Sequence, residues 1–120
     1  MAALTAASWT LTISSKWRVG RVKYVSGTLL LPGTDTYPDN GIPLPAKENF
    51  GMTAEVIAFD CFGVDPTAGT VSEYPTSYDK TNHKLFLYEE EATAAGGPLL
   101  ECDTAEVPGA RTYNFVMCGR

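Results

Sequence analysis

No uninterrupted apolar run in this chain approaches the roughly 20 residues a helix needs to cross a bilayer, so a helical membrane span is excluded. Histidine occurs once, at His83, and cysteine three times, at Cys61, Cys102 and Cys118, with no Cys-x-x-Cys spacing. Structural zinc prefers closely spaced Cys/His pairs and finds none here. A basic excess is also missing: the formal net charge is −5 and the pI about 4.7. A generic nucleic-acid binder needs a basic footprint against phosphate, so nucleic acid is not an expected partner. Gly-rich phosphate motifs are absent too, because Gly96-Gly97 and Gly109 have no following Lys-Ser/Thr. The start, Met1 to Ser8, carries no basic segment and too short an apolar stretch for a secretory signal. Synthesis in the cytoplasm with reduced thiols is the expectation, although a Cys102–Cys118 bridge is conceivable if their strands pair.

What is present fits one domain. The chain has 120 residues, of which 44% are hydrophobic and 19% charged, with 11 Gly and 8 Pro. A chain of this size buries enough surface for a core without metal or disulfide. Frequent Thr, Val, Tyr and Phe, punctuated by Gly and Pro, favour short strands joined by turns. The fold class expected is all-β: a compact antiparallel β-sandwich or barrel over residues 1–120. Residues 1–7 read as a flexible N-terminal arm, and 32–48 as an extended Pro/Gly-rich loop.

Strand signals are local and period-2. In Ser8–Ser14, Trp9, Leu11 and Ile13 alternate with Thr10, Thr12 and Ser14, the pattern of a strand with one wet face. Lys16–Leu31 is long enough for one bent strand or two joined ones, and its alternation slips at Gly20. A one-residue bulge there restores the phase and places Lys16, Arg18, Arg21 and Lys23 on one face. Trp17, Val19, Val22 and Tyr24 then share the other. Pro38-Asp39-Asn40-Gly41 is a turn signal. Glu55–Phe62 is apolar on both faces apart from Asp60, as in a strand buried on both sides. Gly63–Ser77 reads as a loop, Asp79–Lys84 as a polar turn and Leu85–Tyr88 as a strand. Glu89–Ala95 suits a short helical turn, and Leu99–Cys102 a short strand. Arg111–Cys118 closes the chain with Tyr113, Phe115 and Met117 on one side.

Charge is unevenly placed. Residues 1–34 hold four basic residues and no acid, whereas 35–120 hold the other five basic and all 14 acidic residues, a balance of −9. The basic face at 16–23 can dock an acidic protein surface. It can equally be the wet face of a strand, where lysines discourage edge-to-edge aggregation. His83 lies in the expected hairpin turn, and Asp79 is the one carboxylate near enough in sequence to orient it as a general base. No Ser or Cys partner is marked, so a solvated turn residue is the simpler reading. Asp35–Gly41 only echoes a calcium loop, and Glu89-Glu90-Glu91 is more simply a solvated turn than a cation site. No catalytic set, metal site or cofactor site can be assembled, and the chain reads as a non-enzyme with no cofactor.

Three segments carry a resemblance: Tyr37-Pro-Asp-Asn-Gly-Ile-Pro-Leu44, Tyr78-Asp-Lys-Thr-Asn-His-Lys-Leu-Phe86 and Phe115-Val-Met-Cys-Gly-Arg120. In this order, after a long basic strand, they resemble a family of small tailed-phage virion decoration (cement) proteins. The patches touch about half of the chain. Cys118 departs from the pattern, standing where many relatives have a small apolar residue. The resemblance implies a structural protein of the virion, homotrimeric, on the capsid surface, whose partner is the major capsid protein and which brings no catalytic residues. Capsid or subunit contacts would come from Lys16, Arg18, Arg21, Lys23, Tyr37, Ile42 and Leu44. Pro43 and Pro45 would pre-extend the arm around Leu44; alternatively Ile42 and Leu44 cover their own core. The rival reading is a head- or tail-fibre component or a carbohydrate-binding β-sandwich, with Trp17, Tyr24, Tyr37 or Tyr74 as sugar platforms.

Overall fold

Alternation of apolar and polar residues resolves into eight strands in two antiparallel sheets, seen in a computed structural model that describes residues 2–63, 75–90, 99–102, 108 and 111–120. The strands are β1 Thr10–Val19, β2 Val22–Leu31, β3 Ile42–Pro43, β4 Val56–Gly63, β5 Thr76–Asp79, β6 Lys84–Glu90, β7 Leu99–Glu101 and β8 Arg111–Gly119. The first sheet has the order β1-β2-β8-β4. In the second, β5 and β3 flank β6, and β7 also pairs with β6. The fold is an all-β sandwich, as its composition implies. No helix among the described residues is long and apolar enough to cross a membrane.

The core lies between the sheets. Leu29, Val25, Tyr113, Phe115 and Met117 from the first sheet meet Leu85 and Leu87 from the second. Phe50 and Phe59 bridge them: Phe50 meets Phe115 edge-on at 5.2 Å between centroids, and Phe59 stacks on Phe115 at 5.9 Å. Such ring pairs add stabilisation beyond their buried area. Thr76 on β5 donates its hydroxyl to the Cys61 carbonyl on β4 at 3.1 Å, tying the two sheets at one seam. The three thiols are free, with Cys61 and Cys102 buried.

Four sequence expectations need correction. Lys16–Leu31 takes the two-strand alternative, and the bulge expected at Gly20 is instead a hairpin turn: β1 and β2 pair through Val19↔Val22, with Gly20 and Arg21 as a two-residue turn. Positive φ at Gly20 (60°) and not at Arg21 is the pattern of a type II′ turn, whose twist suits a hairpin. The bulge in this strand sits at Ser14 instead, between Ile13↔Gly27 and Ser15↔Ser26. Strand β4 is buried on one face only: Phe59 and Cys61 point into the core, while Ala58, Asp60 and Phe62 are exposed. Its sequence is apolar on both sides because its outer face belongs to an apolar surface rather than to a second core.

The N-terminal segment is not a loose arm. Leu4 is buried, the Leu4 and Thr36 amides bond to the carbonyls of Thr36 and Ala2, and Trp9 donates its indole N–H to the Pro43 carbonyl at 2.9 Å. Loop 32–48 packs onto the core, so Tyr37, Ile42 and Leu44 are 1%, 0% and 3% exposed. They cover the core of their own molecule and are not offered to a partner. The Pro38–Gly41 turn forms as expected, with Asn40 and Gly41 at φ 61° and 93°. Most of the 63–77 loop, residues 91–95 of the expected helical turn and Tyr74 lie outside the described residues, while Glu89 and Glu90 of that turn are instead the end of strand β6.

Candidate functional site

The β1–β2 hairpin reaches beyond the core with a basic inner side. Its register sets Arg18 directly opposite Lys23 and Lys16 opposite the buried Val25, so Lys16, Arg18 and Lys23 share the face turned toward the core, as neighbours across strands. Arg21 stays apart in the turn. The three cations border a cleft of about 380 Å³ that is also lined by Trp17, Tyr24, Val25, Phe50, Gly51 and Met52, with no carboxylate lining it among the described residues. Among the described residues the internal contact found there is weak: the Lys23 ammonium donates to the Gly51 carbonyl at 3.3 Å. The ion pairs among the described residues lie elsewhere, at Lys47–Glu48 and Arg120–Glu55.

The bulge at Ser14 explains the arrangement. Before it, odd residues Leu11 and Ile13 face inward; after it, even residues Lys16 and Arg18 do, because one extra residue inverts a period-2 pattern. Trp17 and Val19 therefore turn outward. The Trp17 ring stacks on Tyr24 with centroids 5.4 Å apart and planes 6° from parallel, and Trp17 remains 45% exposed.

Those two rings, which the sequence placed on one face with Val19 and Val22, open an outer sheet face whose extension across β8 and β4 sequence reasoning missed. Register places Trp17, Tyr24, Cys118 and Ala58 in one row across the sheet, Ser15, Ser26, Val116 and Asp60 in the next, and Thr28, Asn114 and Phe62 beyond. Val19, Leu30, Phe62 and Val116 are exposed there with Trp17, and Ile57 joins them at the β4 irregularity. Asp60 is the one charged side chain that this register turns outward within the four strands. The available signal was the two-faced apolarity of β4, which a wet outer face does not explain.

The second cleft, about 450 Å³, is bordered by Glu48, Glu55, Tyr78, Lys80 and His83, among others. His83 is not a freely solvated turn residue. Its Nε2 lies 2.6 Å from the Pro45 carbonyl, which can only accept, so that nitrogen carries the proton. In the neutral ring Nδ1 then accepts the Tyr78 hydroxyl at 2.8 Å. The imidazole lone pair is thereby occupied, and the ring clamps the β5–β6 turn to the proline loop. Asp79, the suggested orienting carboxylate, instead accepts the amides of Thr81 and Asn82 and the Asn82 side chain. Those bonds favour its ionised form and hold its carboxyl below the ordinary range. Glu55 is held low by the Arg120 guanidinium and Glu48 by the Lys47 ammonium. Tyr37 donates to Glu101 at 2.7 Å, and burial followed by that bond pushes its hydroxyl pKa far upward. Among the described residues no group of three His, Cys, Asp or Glu side chains is placed to hold a metal.

Comparison of the chain with protein-family models, with curated proteins and with solved structures returns no match.

Proposed function

We propose that this chain is a non-catalytic docking protein, and specifically a phage capsid decoration protein that binds the outside of the major capsid shell and reinforces it as a homotrimer. The observation that supports it is the outer face of β1-β2-β8-β4: six large apolar side chains stand exposed on it beside one acid. A monomer rarely leaves so large a patch open unless something covers it. Four strands about 4.8 Å apart and roughly nine residues long span about 600 Å² in plan, most of the ~800 Å² per partner in a standard interface. The order of the three sequence patches and the basic strand before them favours the virion setting.

The test is quantitative mass spectrometry of gradient-purified particles from the source of this sequence. Copy numbers comparable with the major capsid protein support shell-wide decoration. A handful of copies moves the protein to a vertex, neck or fibre, and absence removs the virion reading. The second reading, a carbohydrate-binding module, draws on the exposed Trp17–Tyr24 pair. Binding on a glycan array that disappears with Trp17→Ala would favour it.

A further inference from the structure

The triad Lys16, Arg18 and Lys23 is costly where it stands. Like charges directly opposite on paired strands repel, and Arg18 faces Lys23 across the hairpin with Lys16 one step further along the same side. The chain holds 14 acidic residues, yet among the described residues none lines this cleft. Lysines that merely guard a sheet edge need no cleft beside them, and edge protection does not call for an exposed Trp at the intervening position. A local violation left uncompensated inside the fold is where a functional site is expected.

We propose that the cleft beneath the hairpin end binds an acidic segment of a partner protein, with carboxylates on Lys16, Arg18 and Lys23 and an apolar side chain between them and the Met52 side of the cleft. This deepens the docking function above by naming the chemistry of one contact. Charge complementarity selects the occupant: three positive groups in a space of about 380 Å³ match two or three carboxylates, and Arg18 offers a planar fork that pairs with a carboxylate through two parallel bonds. A long polyanion is disfavoured because residues 35–120 carry a balance of −9 and repel it beyond this patch. The partner's acidic segment needs only to be short and accessible.

The probe is the peptide acetyl-Glu-Glu-Leu-Asp-Glu-amide, titrated into the intact protein while the combined fluorescence of Trp9 and Trp17 is followed at low and high salt. Binding that weakens with salt, falls about tenfold or more in Lys16→Glu and Arg18→Glu and persists in the charge-matched Lys80→Glu supports the proposal. Lys16→Gln and Arg18→Gln, at exposed positions, give the same answer if a reversed charge disturbs folding. No peptide binding, equal binding by the triad variants, or tighter binding of a single-stranded oligonucleotide overturns it. Co-sedimentation with capsid shells separates the two claims. If Arg18→Gln binds shells as the wild type does, the cleft proposal fails and docking stands. If the wild type binds peptide through the triad but not shells, capsid docking fails and the cleft stands.

Discussion

Gly27 and Gly20 are both glycines of the first hairpin, and they are needed for different reasons. A Cβ at Gly27 would fall onto the Thr12 carbonyl oxygen of the paired strand, where backbone cannot yield. Gly20 has open space around it but sits at φ +60°, which costs an L-residue about 1–2 kcal/mol. Gly27→Ala should therefore cost more than Gly20→Ala, at or above the ~1–3 kcal/mol of overpacked sites, as measured by urea unfolding of both variants. The sequence shows a phase slip at Gly20 but not its cause. A one-residue bulge and a two-residue turn both invert the alternation, so Lys16, Arg18 and Lys23 share a face either way. Only chain reversal brings Arg18 and Lys23 side by side, and that depends on a turn geometry which Gly alone does not specify. His83 was illegible for a similar reason, since its partners Pro45 and Tyr78 come from different elements.

Elements are held by a few long-range bonds that periodicity cannot reveal. Strand β8 was readable to its inward residues, because Tyr113, Phe115 and Met117 alternate cleanly and all three are buried. Residues 1–7 were not, since their tether is backbone pairing with Thr36 and one indole N–H on Pro43. Trp9→Phe keeps an aromatic in that site but leaves the Pro43 carbonyl without its donor. A loss of about 1 kcal/mol is expected, with faster amide exchange at Leu4 and Thr36 if Trp9 anchors the segment. On the outer face, Val116 lies in the central strand β8 and is 42% exposed. Val116→Asp should leave the monomer folded by circular dichroism while abolishing any association made through this face, read by sedimentation velocity. Unchanged association would assign that contact to another surface.

At the scale of the whole molecule, buried acidic groups couple the core to alkaline pH. The Cys61 thiol lies between the sheets, and burial pushes its pKa from an ordinary 9.0 to about 11, partly offset by the Thr76 hydroxyl. Between those values the unfolded chain releases a proton that the folded protein retains. The folded state then binds more protons than the unfolded one, so stability falls as pH rises through this window. Full traversal is worth about 2–3 kcal/mol for this thiol. Tyr37, raised further by burial and by its bond to Glu101, extends the loss above pH 10. Glu48, Glu55 and Asp79 act in the opposite sense, since their lowered values support the fold above the ordinary carboxylate range and withdraw that support in acid. Their solvent exposure keeps those contributions small. Urea midpoints for the wild type and Cys61→Ala at pH 7, 9.5 and 11 test the alkaline limb. The variant starts lower at pH 7 because it loses packing, but its midpoint should decline less steeply between pH 9 and 11. Parallel decline in the two proteins would mean that Cys61 does not couple the core to pH, leaving the raised Tyr37 and Tyr78 hydroxyls as the groups that do.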